Sequence, residues 1–116
     1  MKVSFEGMGE QVVTFEAETF GSGAVTAGKP VIVSENGKVS AASKSGDIPA
    51  GVAISVRGAY AAVQVAGYVT LPCDGSLTVG YQHIQLDASG KVAKTSTGGR
   101  GVIVTDVTNG VCGLIL

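Results

Sequence analysis

The chain has 116 residues, of which 45% are hydrophobic and 15% charged, with 18 Gly, no Trp and a formal net charge of −1. That length predicts one domain that can bury a core without disulfide or metal staples, and the near-zero charge gives no electrostatic case for a nucleic-acid partner. Charge at 15% is well below the roughly 25% of an ordinary soluble domain, which points to self-association or docking on a large partner.

Residues 1–22 read as an N-terminal arm or edge strand, broken at Gly7-Met8-Gly9 and set off by Gly21-Ser22-Gly23. The arm is acidic, with Glu6, Glu10, Glu16 and Glu18 against Lys2. It also holds every phenylalanine of the chain: Phe5, Phe15 and Phe20. Those rings are either core-strand anchors or plugs for a neighbouring subunit. Met1-Lys2 leads into Val3-Ser4-Phe5-Glu6, which lacks the apolar run of a secretory leader. No stretch approaches the length of a membrane span.

Residues 23–116 read as a single β-domain. Val31-Ile32-Val33 is a short apolar strand, Asn36-Gly37 predicts a type I′ hairpin, and Lys38–Ala42 returns beside it. A polar loop and the Ile48-Pro49-Ala50-Gly51 turn follow. Val52, Ile54 and Val56 alternate with polar or small residues as a half-buried strand does. After a turn at Gly58-Ala59-Tyr60, Val63 to Leu71 predicts one nine-residue strand, with a bulge or bend at Gly67. Pro72 ends it, and Cys73-Asp74-Gly75-Ser76 turns. Thr78 to Thr95 repeats the earlier unit around an Asp87–Gly90 hairpin loop. Val102–Val104 and Val111–Leu116 are the last strands.

The chain is internally duplicated. Thr26-Ala27-Gly28 is matched by Thr78-Val79-Gly80 at an offset of 52, and Gly37-Lys38-Val39 by Gly90-Lys91-Val92 at 53. Gly51-Val52-Ala53-Ile54 is echoed by Gly101-Val102-Ile103-Val104 at 50. The two copies fall at about 24–72 and 76–116. The expectation is an all-β fold, a small barrel or sandwich built from two related halves.

Residue types that carry chemistry are sparse. His83 is the single histidine and shares a strand face with Tyr81 and Gln85, with no Gly-x-Ser-x-Gly elbow to serve it. Cys73 and Cys112 are too distant for a metal knuckle and read as buried small hydrophobes, with one bridge between them left open. Asp74, Asp87 and Asp106 lie in predicted turns, where Asp caps the local backbone. Gly98-Gly99-Arg100-Gly101 lacks the Lys-Ser/Thr and helix of a phosphate loop. No catalytic, metal or cofactor residue is assigned, and no enzyme is expected.

Several of these runs together resemble the small capsid decoration, or head cement, proteins of tailed bacteriophages and their prophage-encoded relatives. They are Ala27-Gly28-Lys29-Pro30-Val31, Asn36-Gly37-Lys38-Val39, Gly46-Asp47-Ile48-Pro49-Ala50-Gly51-Val52-Ala53, and Ala61-Ala62-Val63-Gln64-Val65-Ala66-Gly67-Tyr68-Val69. The likeness covers about residues 24–116; the clear internal duplication departs from it. It implies a homotrimer made in the bacterial cytoplasm and seated on the capsid exterior. There it would bind the major capsid protein through multivalent contacts, with no nucleic-acid or membrane partner and no cofactor. The residues expected to meet the partner are Phe5, Glu6, Phe15, Glu16, Glu18 and Phe20. The alternatives are another virion component (tail, fibre or baseplate adaptor) or a small-ligand or carbohydrate-binding β-module.

Overall fold

The computed structural model describes residues 9–116, and the fold is all-β, as expected. Ten strands run in order: β1 (Gln11–Ala17), β2 (Pro30–Glu35), β3 (Lys38–Ala41), β4 (Gly51–Arg57), β5 (Tyr60–Ala66), β6 (Tyr68–Pro72), β7 (Gly80–Leu86), β8 (Val92–Lys94), β9 (Arg100–Thr108) and β10 (Val111–Ile115). The first five close into a barrel of order β1-β3-β2-β4-β5, and the last five form a sheet of order β6-β10-β9-β7-β8.

These two orders are one connectivity used twice. β1 lies parallel to β3, with Ala17 opposite Val39, and antiparallel to β5. In the second sheet β6 is antiparallel to β10, and an isolated parallel bridge joins Cys73, just past β6, to Val92 of β8. Individual hydrogen bonds repeat as well. Glu18 N donates to Val39 O and Asp74 N donates to Val92 O, both at 2.9 Å. Ala17 N donates to Ala59 O at 2.8 Å and Cys73 N to Gly110 O at 2.9 Å. Even the irregularity is shared: the β4–β5 ladder skips Ile54 and the β9–β10 ladder skips Thr105.

The predicted nine-residue strand is cut at Gly67. Its φ of 101° turns the chain, so β5 stays in the barrel and β6 opens the second sheet. The sheets therefore divide at residue 67, whereas the sequence repeat places the first copy's end near 72. β1, read from sequence as arm or edge, is hydrogen-bonded on both sides.

The hairpin chemistry is also redistributed. At Asn36-Gly37 only Gly37 has positive φ, at 69°, and the pairing slips between Val33 and Glu35, so the turn is bulged. The paired positive φ of a type I′ turn occurs at Asn109 (52°) and Gly110 (76°), between β9 and β10.

Inward side chains form two apolar clusters. One holds Leu71, Ile84, Leu86, Val92, Cys112 and Leu114 of the second half, and Val52, Ile32 and Ala42 from the barrel reach into it. The other fills the barrel with Val31, Val39, Val63 and small alanines, with Phe15 partly buried against it. Small side chains allow very close backbone approach. A Cβ on Gly51 would overlap the Gln64 carbonyl oxygen and stand 2.9 Å from Val63 Cγ1, and neither group has room to retreat. Gly75, by contrast, has nothing within 4 Å. Gly51→Ala is therefore expected to lower the thermal midpoint by roughly 10 °C or more, while Gly75→Ala shifts it by no more than about 2 °C; differential scanning calorimetry checks both.

Candidate functional site

The structure separates the sequence-predicted binding residues. Phe5 and Glu6 lie outside the described residues. Phe15 points inward and packs on the barrel core, so within this chain it acts as an anchor. Glu16 is exposed near the end of β1, in register with Lys38 of β3 and Tyr60 of β5. Glu18 and Phe20 follow in the loop after β1.

Glu18 organises that loop. Its Oε2 accepts a hydrogen bond from Lys38 Nζ at 3.2 Å. Its Oε1 accepts from the main-chain N–H of Thr19 at 3.2 Å and of Phe20 at 3.3 Å. The Lys38 bond chiefly, with the Phe20 N–H, holds the Glu18 carboxyl below its ordinary value, and Glu18 in turn raises Lys38. The clasp ties the loop to β3 and leaves the Phe20 ring 82% exposed at the corner, just before the 3-10 turn at Gly21–Gly23. Exposed loops bearing Asp or Glu that cap their own backbone are common; an almost fully exposed Phe on a braced loop is not.

Concavities open on the surface of the described residues. One is an open trough of about 350 Å³ on the barrel, lined by Thr14, Ser55, Arg57, Tyr60, Ala61 and Ala62. The other, about 160 Å³, lies between turns of the two halves and includes Lys29, Pro30, Pro72 and Gly90. His83 is exposed on β7 and meets Tyr81 edge to face, with ring centroids 5.4 Å apart. Among the described residues, no group of three His, Cys, Asp or Glu is placed to hold a metal ion.

The seam between the halves contains interactions that no sequence motif announces. The Arg100 guanidinium donates from Nη1 to Ala50 O at 2.8 Å and Pro49 O at 3.3 Å, and from Nη2 to Val65 O at 2.8 Å. Three carbonyls from the barrel thus converge on one cation of the second sheet. Gln64, itself buried, donates from Nε2 to Ala66 O and Tyr68 O at 3.1 Å each, clamping the chain on both sides of Gly67. Asp47 joins the seam through its backbone: its carbonyl accepts from Leu86 N at 2.7 Å.

Cys73 and Cys112 are both buried and both free. Cys112 faces Leu71 across the ladder, and Cys73 binds Gly110, so the thiols are diagonal neighbours on the inner face. Cys112 Sγ donates to Leu71 O at 3.4 Å. Burial, reinforced by the neighbouring Cys73 thiol, pushes Cys112 from its ordinary 9.0 up to about 12.

No protein-family model and no curated protein matches the chain.

Arg100→Ala removes three hydrogen bonds from the guanidinium to part-buried carbonyls and is expected to cost about 2–4 kcal/mol in urea unfolding. Lys recovers little of this, because one ammonium cannot fork to three acceptors. The thiols give a pH signature. An unfolded Cys112 ionises above about pH 9 while the folded one stays protonated to about 12. Stability is therefore fully retained below 9 and falls as pH rises from 9 toward 12. It should fall more steeply in the wild type than in the similar-sized Cys112→Val, as read from urea midpoints at each pH.

Proposed function

We propose that the protein is a structural component of a tailed-phage virion: a head decoration protein that binds the outside of the shell as a homotrimer. The observation that carries this reading is a braced β-body presenting large apolar groups to solvent, foremost Phe20 on the loop clasped by Glu18 and Lys38. Rigidity matters here, because a loop backbone already held in place loses little conformational freedom on docking. The resemblance over residues 24–116 supports the same reading.

The mechanism is adhesion. Phe20 enters an apolar recess of the major capsid protein, with Glu16 and Glu18 at the rim. Burying one Phe ring contributes about 1.5–3 kcal/mol. That is weak singly, but three such loops on one trimer multiply it through effective concentration. Clamping neighbouring capsid subunits then resists outward pressure from packaged DNA.

The test uses expanded heads of the phage or prophage that encodes the chain. The purified protein should co-sediment with the heads and raise their rupture temperature. Phe20→Ser should weaken binding at least about tenfold while leaving the fold intact. Absence of co-sedimentation at tens of micromolar protein would sink the proposal.

A further inference from the structure

The two related halves differ at one set of equivalent positions, and the difference is a space. On the outward face of the barrel Thr14 is opposite Ala62, and Ala62 is opposite Ser55. On the second sheet the same row is Thr70, Gly113 and Asp106. The match follows from the repeated bonds: Ala62 lies three residues past Ala59 as Gly113 does past Gly110, and Ser55 and Asp106 each follow the residue that its ladder skips. Over Gly113 the space is full. A Cβ there would collide with Asp106 Oδ1, the Tyr68 hydroxyl and Thr105 Oγ1, and the Thr105 hydroxyl donates to Asp106 at 2.7 Å. At Ala62 the open trough of about 350 Å³ takes its place, a volume at the lower end of small-molecule sites.

What fills one half and is missing from the other is chemically specific. Val12 stands where the second sheet has Tyr68, so the barrel lacks the phenol hydroxyl. Ser55 stands where it has Asp106, so the barrel lacks the carboxylate. The next row of the barrel adds groups that the second sheet does not have. Glu16 is opposite Tyr60, and Tyr60 is opposite Arg57; the equivalents are Pro72, Val111 and Thr108. Tyr60 is 59% exposed, and Arg57 lines the trough beside it. Glu16 and Arg57 flank the ring two strand spacings, about 10 Å, apart. Among the described residues Lys38 and Glu18 form the one ion pair, so no described carboxylate neutralises Arg57.

We propose that this trough binds a sugar acid, a saccharide ring that carries a carboxylate. The ligand brings to Ala62 the hydroxyl and the carboxylate that the second half places over Gly113 from its own side chains. Its carboxylate pairs with Arg57, whose planar fork meets two oxygens at once. Its ring lies against the apolar body of Tyr60. Its hydroxyls meet those of Thr14 and Ser55, and Glu16, which can only accept, takes one on the far side of Tyr60. A neutral sugar leaves Arg57 without a counter-charge. A simple carboxylate leaves the Tyr60 ring uncovered and gives Glu16 no donor. The trough is open, so binding is weak, with a Kd on the order of 1 mM for a ligand of about a dozen heavy atoms. The inference goes beyond the decoration reading and does not rest on it.

Titration of the isotope-labelled full chain with D-glucuronate to about 20 mM, followed by amide nuclear magnetic resonance shifts, tests it. The shifts should concentrate at Thr14, Ser55, Tyr60 and Ala62. D-glucose and acetate should each bind at least about tenfold more weakly than glucuronate. Arg57→Gln should weaken glucuronate binding at least about tenfold while leaving the rest of the spectrum in place. The double variant Val12→Tyr, Ser55→Asp copies the filling of the second half and should abolish binding; if it does not fold, Arg57→Gln decides alone. Absence of shifts at the trough, or unchanged affinity in Arg57→Gln, overturns the inference. Acetate that binds as well as glucuronate overturns it too, by reducing the trough to a bare anion site, and so does an acidic peptide that binds more tightly. Head binding through Phe20 is read by co-sedimentation and is independent of each of these outcomes.

Discussion

The structure depends on one contact that closes a ring: the parallel pairing of β1 with β3. Without it the five strands, in the order β3-β2-β4-β5-β1, would leave two open edges, each a row of unpaired N–H and C=O groups. Bringing Ala17 beside Val39 and donating Glu18 N to Val39 O turns both edges inward on one another. The second half reaches for the same solution with less ladder, a single bridge from Cys73 to Val92 and the Asp74 bond to Val92 O. Closure is what lets a core of valines and alanines suffice, since a small barrel has little interior to fill. It also explains the glycines that matter. At Gly51 the strands pass so close that a methyl group has nowhere to go.

Joining the two halves poses a different problem. The chain must leave a closed barrel and start a new sheet without exposing a strand end. Gly67 makes the turn, and the buried Gln64 amide holds the carbonyls on either side of it. Arg100 then returns from β9 to hold Pro49, Ala50 and Val65. A guanidinium suits the task because its fork meets several acceptors at once and its charge is shared among carbonyl dipoles. The apolar cores complete the join, with Val52 of the barrel packed among the side chains of the second half. Three elements of different origin (a glycine hinge, a buried amide and one arginine) therefore make a duplicated chain into a continuous body.

With the interior organised by small residues, what distinguishes the surfaces is where charge was left. The barrel end carries Glu16, Glu18 and Lys38 around an exposed Phe20; the outer second sheet is nearly bare of charge. The acid–base clasp at Glu18 is solvent-exposed, so its contribution is one of orientation more than of stability. Its value lies in fixing where the phenylalanine points.

Turns, strand alternation and the repeat were legible in the amino-acid order because they are short-range: they depend on which residues tolerate positive φ and which face alternate sides of a pleat. Thus Gly28/Gly80 and Gly37/Gly90 announced two related halves, and of the alternating Val52, Ile54 and Val56 the first is buried, whereas Ile54 is 48% exposed where the β4–β5 ladder skips it. The Phe15 ring was noticed, but whether it served the core or a neighbour was not readable from alternation alone. Nor was the cutting of residues 63–71 into two sheets, since Gly67 is compatible with a bend, a bulge or a break. The parallel β1–β3 contact and the reach of Arg100 to carbonyls about fifty residues away belong to the tertiary structure. Each joins residues far apart in the chain, and such pairings are settled by which edges and faces find partners, a competition no local pattern encodes.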